Sequence, residues 1–431
     1  MSVPEGGGRA LRGPTAEGSP QDSGGAVRAS RASGPDWLLE EMRLCVQTLS
    51  GFLRPSASPG ERRAAEWIAG RLREHGFQVS VQSETAHGGY WWPLGALNAA
   101  AAAAALARLL RPGRASTAGA VLAGGIGAAA IWDDVGGGRQ WFRRAVMPRR
   151  LTWNVHAELG EPDAQKLIIV VSHHDAAHSG LVFHPALPRL AAKAFPKLHQ
   201  RSTHSVPIMY GTWLGPVLTA LGAAWGSRRM LRLGLAFALG ASLAMADIAR
   251  AEVVPGANDN LSAVAVLLAL ARSLEEEPVH GVRVWLLSTG SEESFMEGMQ
   301  GFLRRHRDAL DPDRTVVLCL ECLGGPTLTL LEGEGMLRMR SYSEVDKAAL
   351  ARAAERAGVE LMRRLSTVAA TDALVAMRRG LRAVTLASVD ETKFPANYHW
   401  PTDTPENLDW ETMCDAFLLC ERFLREQANL R

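Results

Sequence analysis

Two histidines and a group of carboxylates, spread over five short stretches, are the residues of this chain best suited to chemistry. The stretches are His173-His174-Asp175, Gly256-Ala257-Asn258-Asp259-Asn260, Ser291-Glu292-Glu293, Leu320-Glu321-Cys322 and Asn397-Tyr398-His399. Imidazole and carboxylate are ligands that zinc takes, and the set suits two ions. A two-zinc site with a spare carboxylate beside it is equipped for hydrolysis. Asp175, two positions beyond His173, is placed to orient that imidazole, as a carboxylate behind a ligating histidine does. Asp259 reads either as a helix cap or as a carboxylate bridging two metals. Glu292 and Glu293 follow an apolar strand directly, where adjacent acids are costly unless paired or metal-bound. One of them suits a metal and the other a general base. Glu321 lies in the apolar run 318–323 and needs a partner there. His399 is either a ligand or a packed imidazole.

These stretches need strand ends and loops to position them, and the surrounding pattern supplies both. Residues 36–53 and 60–76 carry helical apolar spacing, with Ser58-Pro59-Gly60-Glu61 as a helix start. Residues 77–81 alternate like a strand, and Leu167-Ile168-Ile169-Val170-Val171 is continuous, as in a strand covered on both faces. A helix over 260–274, strands near 282–287 and 316–320, a helix over 344–357 and a strand at 383–386 continue the alternation. The expected fold class is α/β, a three-layer sandwich with a mixed, mostly parallel sheet flanked by helices. Ligands gather where the strand ends of such sheets meet loops.

Four Ala/Gly/Leu-rich runs interrupt the pattern, at about 93–110, 115–132, 207–226 and 231–248. Each is close to the ~20 residues that cross a bilayer. Short basic links join them in pairs, through Arg108, Arg111 and Arg114, and through Arg228, Arg229 and Arg232. Tyr90, Trp91, Trp92 and Trp132 flank the first pair, as interfacial aromatics do. Gly211-x-x-x-Gly215 and Gly222-x-x-x-Gly226 in the second permit close helix approach. We therefore expect four transmembrane helices in two inserted hairpins, 91–135 and 206–249, rather than buried helices of a soluble protein. The remaining 36–90 and 150–431 form the sandwich domain, preceded by a disordered tail over 1–35, rich in Gly, Ser, Pro and Arg and without the apolar core of an export signal. The expected location is a multi-pass protein of the cell membrane with its sandwich on the cytoplasmic side.

A net charge of +2 and scattered arginines point away from nucleic acid. The five cysteines form no framework, which suggests reduced thiols; Cys319 and Cys322 read as core packing.

With these motifs in order, the chain resembles the co-catalytic zinc aminopeptidases of metallopeptidase family 28. The resemblance covers roughly 38–90 and 150–430 and leaves out the hairpins. It also takes in Ser58-Pro59-Gly60-Glu61-Arg62 with Gly76-Phe77, Asn154-Val155, Gly298, and Thr371-Asp372 before Gly380. It implies one zinc held by His173 and Glu321, a second by Glu293 and His399, Asp259 bridging them, and Glu292 as general base. A peptide substrate with a free amino terminus is implied with it. Two departures stand out: Glu321 replaces a commoner Asp, and Ala373 follows Asp372 where many relatives carry His. Other readings within the fold group are a glutaminyl-cyclase-like acyltransferase, which uses one zinc, a carboxypeptidase or deacylase, or a metal-free receptor. A channel is disfavoured, because the apolar runs hold almost no ionisable residues.

Overall fold

The computed structural model describes residues 35–428. The tail expected over 1–35 lies, but for its last residue, outside them. The strands are β1 (Val79–Ala86), β2 (Arg150–Gly160), β3 (Leu167–His173), β4 (Arg283–Thr289) and β5 (Thr315–Glu321). After them come β6 (Thr327–Glu334), β7 (Arg340–Ser341), β8 (Met362–Thr367) and β9 (Arg382–Val389). They form one mixed sheet in the order β1-β2-β4-β3-β5-β9-β6-β7, with β8 beside β6. The central run β4-β3-β5-β9 is parallel, while β1, β2, β6 and β7 pair antiparallel outside it. Every residue of β3 is buried, as its unbroken apolar sequence requires for a strand covered on both faces. The carboxyl ends of the parallel strands open on one edge, and the ligand-type residues follow from them.

In chain order the helices begin with α1 (Asp36–Ser50), α2 (Pro59–Glu74), α3 (Trp91–Leu110), α4 (Arg114–Val135) and α5 (Trp141–Val146). Next are α6 (Ala186–Ala194), α7 (Pro196–Arg201), α8 (Tyr210–Ala224) and α9 (Arg228–Ile248). Last are α10 (Ser262–Glu276), α11 (Glu297–Arg305), α12 (Glu344–Ala357), α13 (Asp372–Arg378) and α14 (Trp410–Ala428). Ser58 caps α2 by accepting from the Glu61 amide, the start signal read in the sequence. Helix α10 is buried almost all round, between the sheet and helices α1 and α14. Helices α11 and α13 lie against the sheet as well, and the three layers are those expected.

The two inserts do not stand apart. Helices α3, α4, α8 and α9 pack as one antiparallel bundle, α3 on α4 and α9, and α8 on α4 and α9. Both basic links therefore sit at the end away from the sandwich. Three of the helices, Trp91–Leu110, Arg114–Val135 and Arg228–Ile248, are long and apolar enough to cross a membrane. The fourth expected span is shorter, because α8 has 15 residues and contains Pro216. The glycine pairs also act differently from the spacing argument. A Cβ on Gly215 would stand 2.6 Å from the Ala238 amide nitrogen, and one on Gly222 2.8 Å from that of Leu231. Gly211 and Gly226, their presumed companions, face open space. The close contacts instead recur at helical spacing along α8 and are completed by Gly234 and Gly124 from the neighbouring helices, 2.7 Å from the Thr219 and 2.6 Å from the Ala220 amide nitrogen.

Candidate metal centre

All seven residues singled out for chemistry converge at the carboxyl edge of the parallel strands. His173 ends β3, Glu292 and Glu293 follow β4, Glu321 ends β5, and His399 follows β9. Asp259 lies in the turn before α10. Its two oxygens face different imidazoles: Oδ1 lies 3.2 Å from His173 Nε2, and Oδ2 lies 3.2 Å from His399 Nε2. Glu321 Oε1 stands 3.4 Å from His173 Nε2, and Glu293 Oε2 3.1 Å from His399 Nε2. Glu292 Oε2 is farther from His173 Nε2, at 3.9 Å. The donors thus form two lobes that share Asp259, with Glu292 beside both.

Residues close to the ligand-type groups in sequence tie their loops together. Asp175 accepts the amides of Glu292 at 3.0 Å and Glu293 at 3.2 Å, and the Ser56 hydroxyl at 2.6 Å. Its Oδ1 also stands 3.4 Å from His173 Nδ1, so one carboxylate sets the imidazole and the acid pair together. Asn260 donates to the Leu320 carbonyl and accepts the Cys322 amide, joining the Asp259 turn to the end of β5. Asp403 accepts the amides of Asn258 at 2.6 Å and Asp259 at 3.1 Å, joining that turn to the His399 loop. Non-glycine residues adopt left-handed backbone beside the ligand-type groups: Ser291 at φ +52°, Cys322 at +49° and His399 itself at +49°. Strain of this kind persists only where the surroundings over-determine it.

The electrostatics of the cluster call for a cation. Asp175, Asp259, Glu292, Glu293 and Glu321 crowd around two imidazoles in a site largely shut off from solvent. Burial raises Glu292 well above the ordinary range, with Glu321 and Glu293 adding repulsion. Burial raises Glu293 to about 7 and lifts Glu321 as well. For the imidazoles burial works the other way, but Glu293 and Asp259 outweigh it and raise His399 to about 10. Glu321 with Asp175 and Asp259 raises His173 in the same way. Carboxylates compressed into a dry pocket stabilise positive charge there, and oxygen and imidazole donors of this number suit divalent cations. The residues fit that group.

Several positioning roles went unread in the sequence. Arg54 is fully buried and donates to the carbonyls of His174 at 2.8 Å, Pro255 at 2.5 Å and Gly256 at 2.7 Å. Glu61 accepts from the Ala57 amide, Thr152 and Ser291, and burial pushes it up to about 8. Asp372 accepts from Thr289 Oγ1 at 2.5 Å, an anchor that does not depend on the residue at 373. Cys322, read as core, is buried beside Glu321, to whose Oε1 its thiol donates at 3.5 Å. The Phe183 ring lies 4.6 Å from the His399 ring, and it comes from the segment between β3 and α8. Arg54 sits far from the ligand stretches in sequence and carries no spacing signal, and Glu61 reads there only as part of a helix start and of the family resemblance; their burial marks the positioning role.

Residues 242–423 match the family model described as Peptidase family M28. That span contains Asp259, Glu292, Glu293, Glu321 and His399, and it excludes His173 and Asp175. No curated protein sequence matches the chain. Among solved structures, the fold is similar to that of an aminopeptidase from Aneurinibacillus sp. strain AM-1, at 16% identity and a TM-score of 0.52 over 90% of this chain and 93% of that one. A leucine aminopeptidase precursor from Bacteroides thetaiotaomicron is similar at 13% identity and 0.53, over 90% and 96%. A glutaminyl cyclase from the same species, bound to N-acetylhistamine, is similar at 13% and 0.53, over 91% and 99%. Residues 242–423 thus match peptidase family M28, a family of metallopeptidase hydrolases, and the chain as a whole shares the sandwich fold of these solved structures.

Proposed function

We propose that the chain is a two-zinc aminopeptidase anchored in a membrane by its four-helix bundle. The observation that carries the reading is Asp259, whose two oxygens face His173 and His399 separately. His173 with Glu321 would hold one ion, His399 with Glu293 the other, and Asp259 both. When bound, the ions supply Lewis acidity to the scissile carbonyl and make the attacking water more acidic. Glu292 takes a proton from that water and passes it to the leaving amine. Asp175 keeps the His173 imidazole and the Glu292-Glu293 backbone in place for this exchange.

The membrane reading rests on the outer surface of the bundle. Leu122, Ile126, Phe237 and Leu243 point outward, exposed by 41 to 63%. Such a surface is at home in hydrocarbon, whereas soluble monomers rarely leave so continuous an apolar face in water. We place the sandwich on the cytoplasmic side, because the exposed cations flanking its end of the bundle outnumber those in the links. Arg139, Arg144, Arg149, Arg150, Arg189, Lys193, Lys197 and Arg201 stand against Arg108, Arg111, Arg114, Arg228, Arg229 and Arg232.

The test is metal analysis of detergent-purified protein together with a panel of free and amino-blocked peptides. Two zinc ions per chain and cleavage of the free peptides are expected. One ion per chain with cyclisation of amino-terminal glutamine would favour the glutaminyl-cyclase reading, and cleavage of blocked peptides alone would overturn the aminopeptidase one.

A further inference from the structure

The apolar cavity beside the acid pair abuts a second one on the membrane-facing side of the bundle. Next to Glu292, Glu293 and His399 lies a pocket of about 70 Å³ walled by Phe183, Met209, Phe295 and Met336. A second cavity, of about 240 Å³, lies between α8 and α9, with Phe237, Gly240, Ala244 and Met245 along one wall. Tyr90, Phe183, Ile208 and Met209 border both spaces and form a wall common to them. At the far end Ala236, Phe237 and Gly240 are exposed on the outer face of α9, beside the outward-pointing Leu239 and Leu243. Joined where the four shared side chains turn aside, the two cavities would form an apolar corridor from that face to the candidate catalytic carboxylates.

We propose that this corridor receives the aliphatic chain of an amphiphilic amide that reaches the site sideways from the bilayer. The proposal rests on the hydrolytic reading above and adds the substrate class. The chemistry of the wall chooses the occupant. An extended peptide would bring a backbone donor and acceptor at every residue, and an apolar wall leaves them unpaired at a cost. The Thr212 hydroxyl is already committed to the Met209 carbonyl at 2.7 Å, and the other side chains walling the second cavity, Tyr90 apart, are apolar. A methylene chain makes no such demand. It passes from one hydrocarbon phase to another while its amide reaches the polar end at Glu292. The reaction is the same hydrolysis: the water oxygen joins the acyl carbon, the C–N bond breaks, and the amine leaves with a water proton carried by Glu292.

Gly240 and Gly211 give a way to close the corridor. A Cβ at either position meets no atom within 4 Å, so a large side chain there grows into the open space rather than into backbone. Gly119 on α4 is equally open, does not border the corridor, and serves as the control.

The full chain in lipid nanodiscs, loaded with zinc, would be assayed on two series with a free amine. In leucyl alkylamides the alkyl chain lengthens on the amine side; in α-aminoalkanoyl methylamides it lengthens on the acyl side. In one series the dodecyl member should exceed the methyl member in kcat/KM by at least about tenfold, since two buried methylenes already supply that much. Gly240→Phe should collapse this ratio toward unity, and Gly119→Phe should preserve it. Equal rates along both series, or a ratio indifferent to Gly240→Phe, would overturn the corridor while cleavage of the short amides upholds the hydrolase. If no amide is cleaved at full metal content, the hydrolytic reading fails. The corridor is then judged by a dodecyl chain bearing a photoreactive diazirine, which should label the α8–α9 wall in the wild type but not in Gly240→Phe.

Discussion

In the sandwich Asp175 and Asn260 are completely inaccessible and Asp259 exposes 2% of its surface, while in the bundle Leu122 and Leu243 expose 63% and Trp225 exposes 70%. The two regions hide opposite kinds of atom. The sandwich pairs the carboxylates around its candidate site with amides, hydroxyls or imidazoles from other loops, so its polar interior is a network whose members depend on one another. The bundle has few polar side chains to pair and coheres by backbone proximity, with Gly124, Gly215, Gly222 and Gly234 at its seams. One region is therefore sensitive to the loss of a charge, and the other to the gain of a methyl group.

The sharpest way to separate them is Glu292→Gln. Removal of the base should lower kcat by roughly 10²–10⁴-fold. Zinc content and thermal unfolding should stay at wild-type values, and retained turnover would take the role of base away from Glu292. The reverse experiment is Gly215→Leu. Its side chain would enter the Ala238 backbone, a contact of 2.6 Å already at Cβ, and overpacking costs about 1–3 kcal/mol. We expect an earlier unfolding transition of the bundle in detergent, while Gly119→Leu leaves it unmoved.

A third expected effect is a change of pH dependence at Glu334→Gln. Glu334 is buried at the end of β6, accepts the Thr371 amide at 2.7 Å, and is pushed up to about 8 by burial. Its folded pKa lies above the ordinary 4.5, so between these values the folded state binds the extra proton. The stability it contributes is complete below about 4.5 and gone above about 8. The melting temperature of the Gln variant relative to wild type should therefore rise across that window. A constant difference would show that Glu334 does not titrate there.

The ligand stretches were legible because each breaks a rule of composition: acids and imidazoles at the ends of apolar strands need a reason to be there. β3, β5 and β9 were legible for the complementary reason, since continuous apolar runs have few uses other than a buried strand. What escaped was whatever depends on distant pairing. The burial of Arg54 against three carbonyls and the grip of Asp403 on the Asp259 turn exist only once loops from opposite ends of the chain meet. The Gly-x-x-x-Gly spacing misled in part, because a glycine can face a cavity as well as a neighbouring helix. At Gly211 it borders the proposed corridor. The joining of two hairpins into one bundle left no trace in either alone.

The order of the strands constrains how the chain can thread a bilayer. β1 precedes the first helix pair, β2 and β3 lie between the pairs, and β4 to β9 follow the second. Yet β1 bonds to β2, and both β2 and β3 bond to β4. A sheet cannot be shared between two sides of a membrane, so each insert must return to the side it left. Helix α8, with 15 residues rising ~1.5 Å each, is short for a hydrocarbon core of ~30 Å. If α9 crosses, α8 must cross with it, and the bilayer thins around it rather than excluding it. In a bilayer, strand pairing on one side would thus act as a parity lock on the helices: none of the four could leave the lipid without its partner.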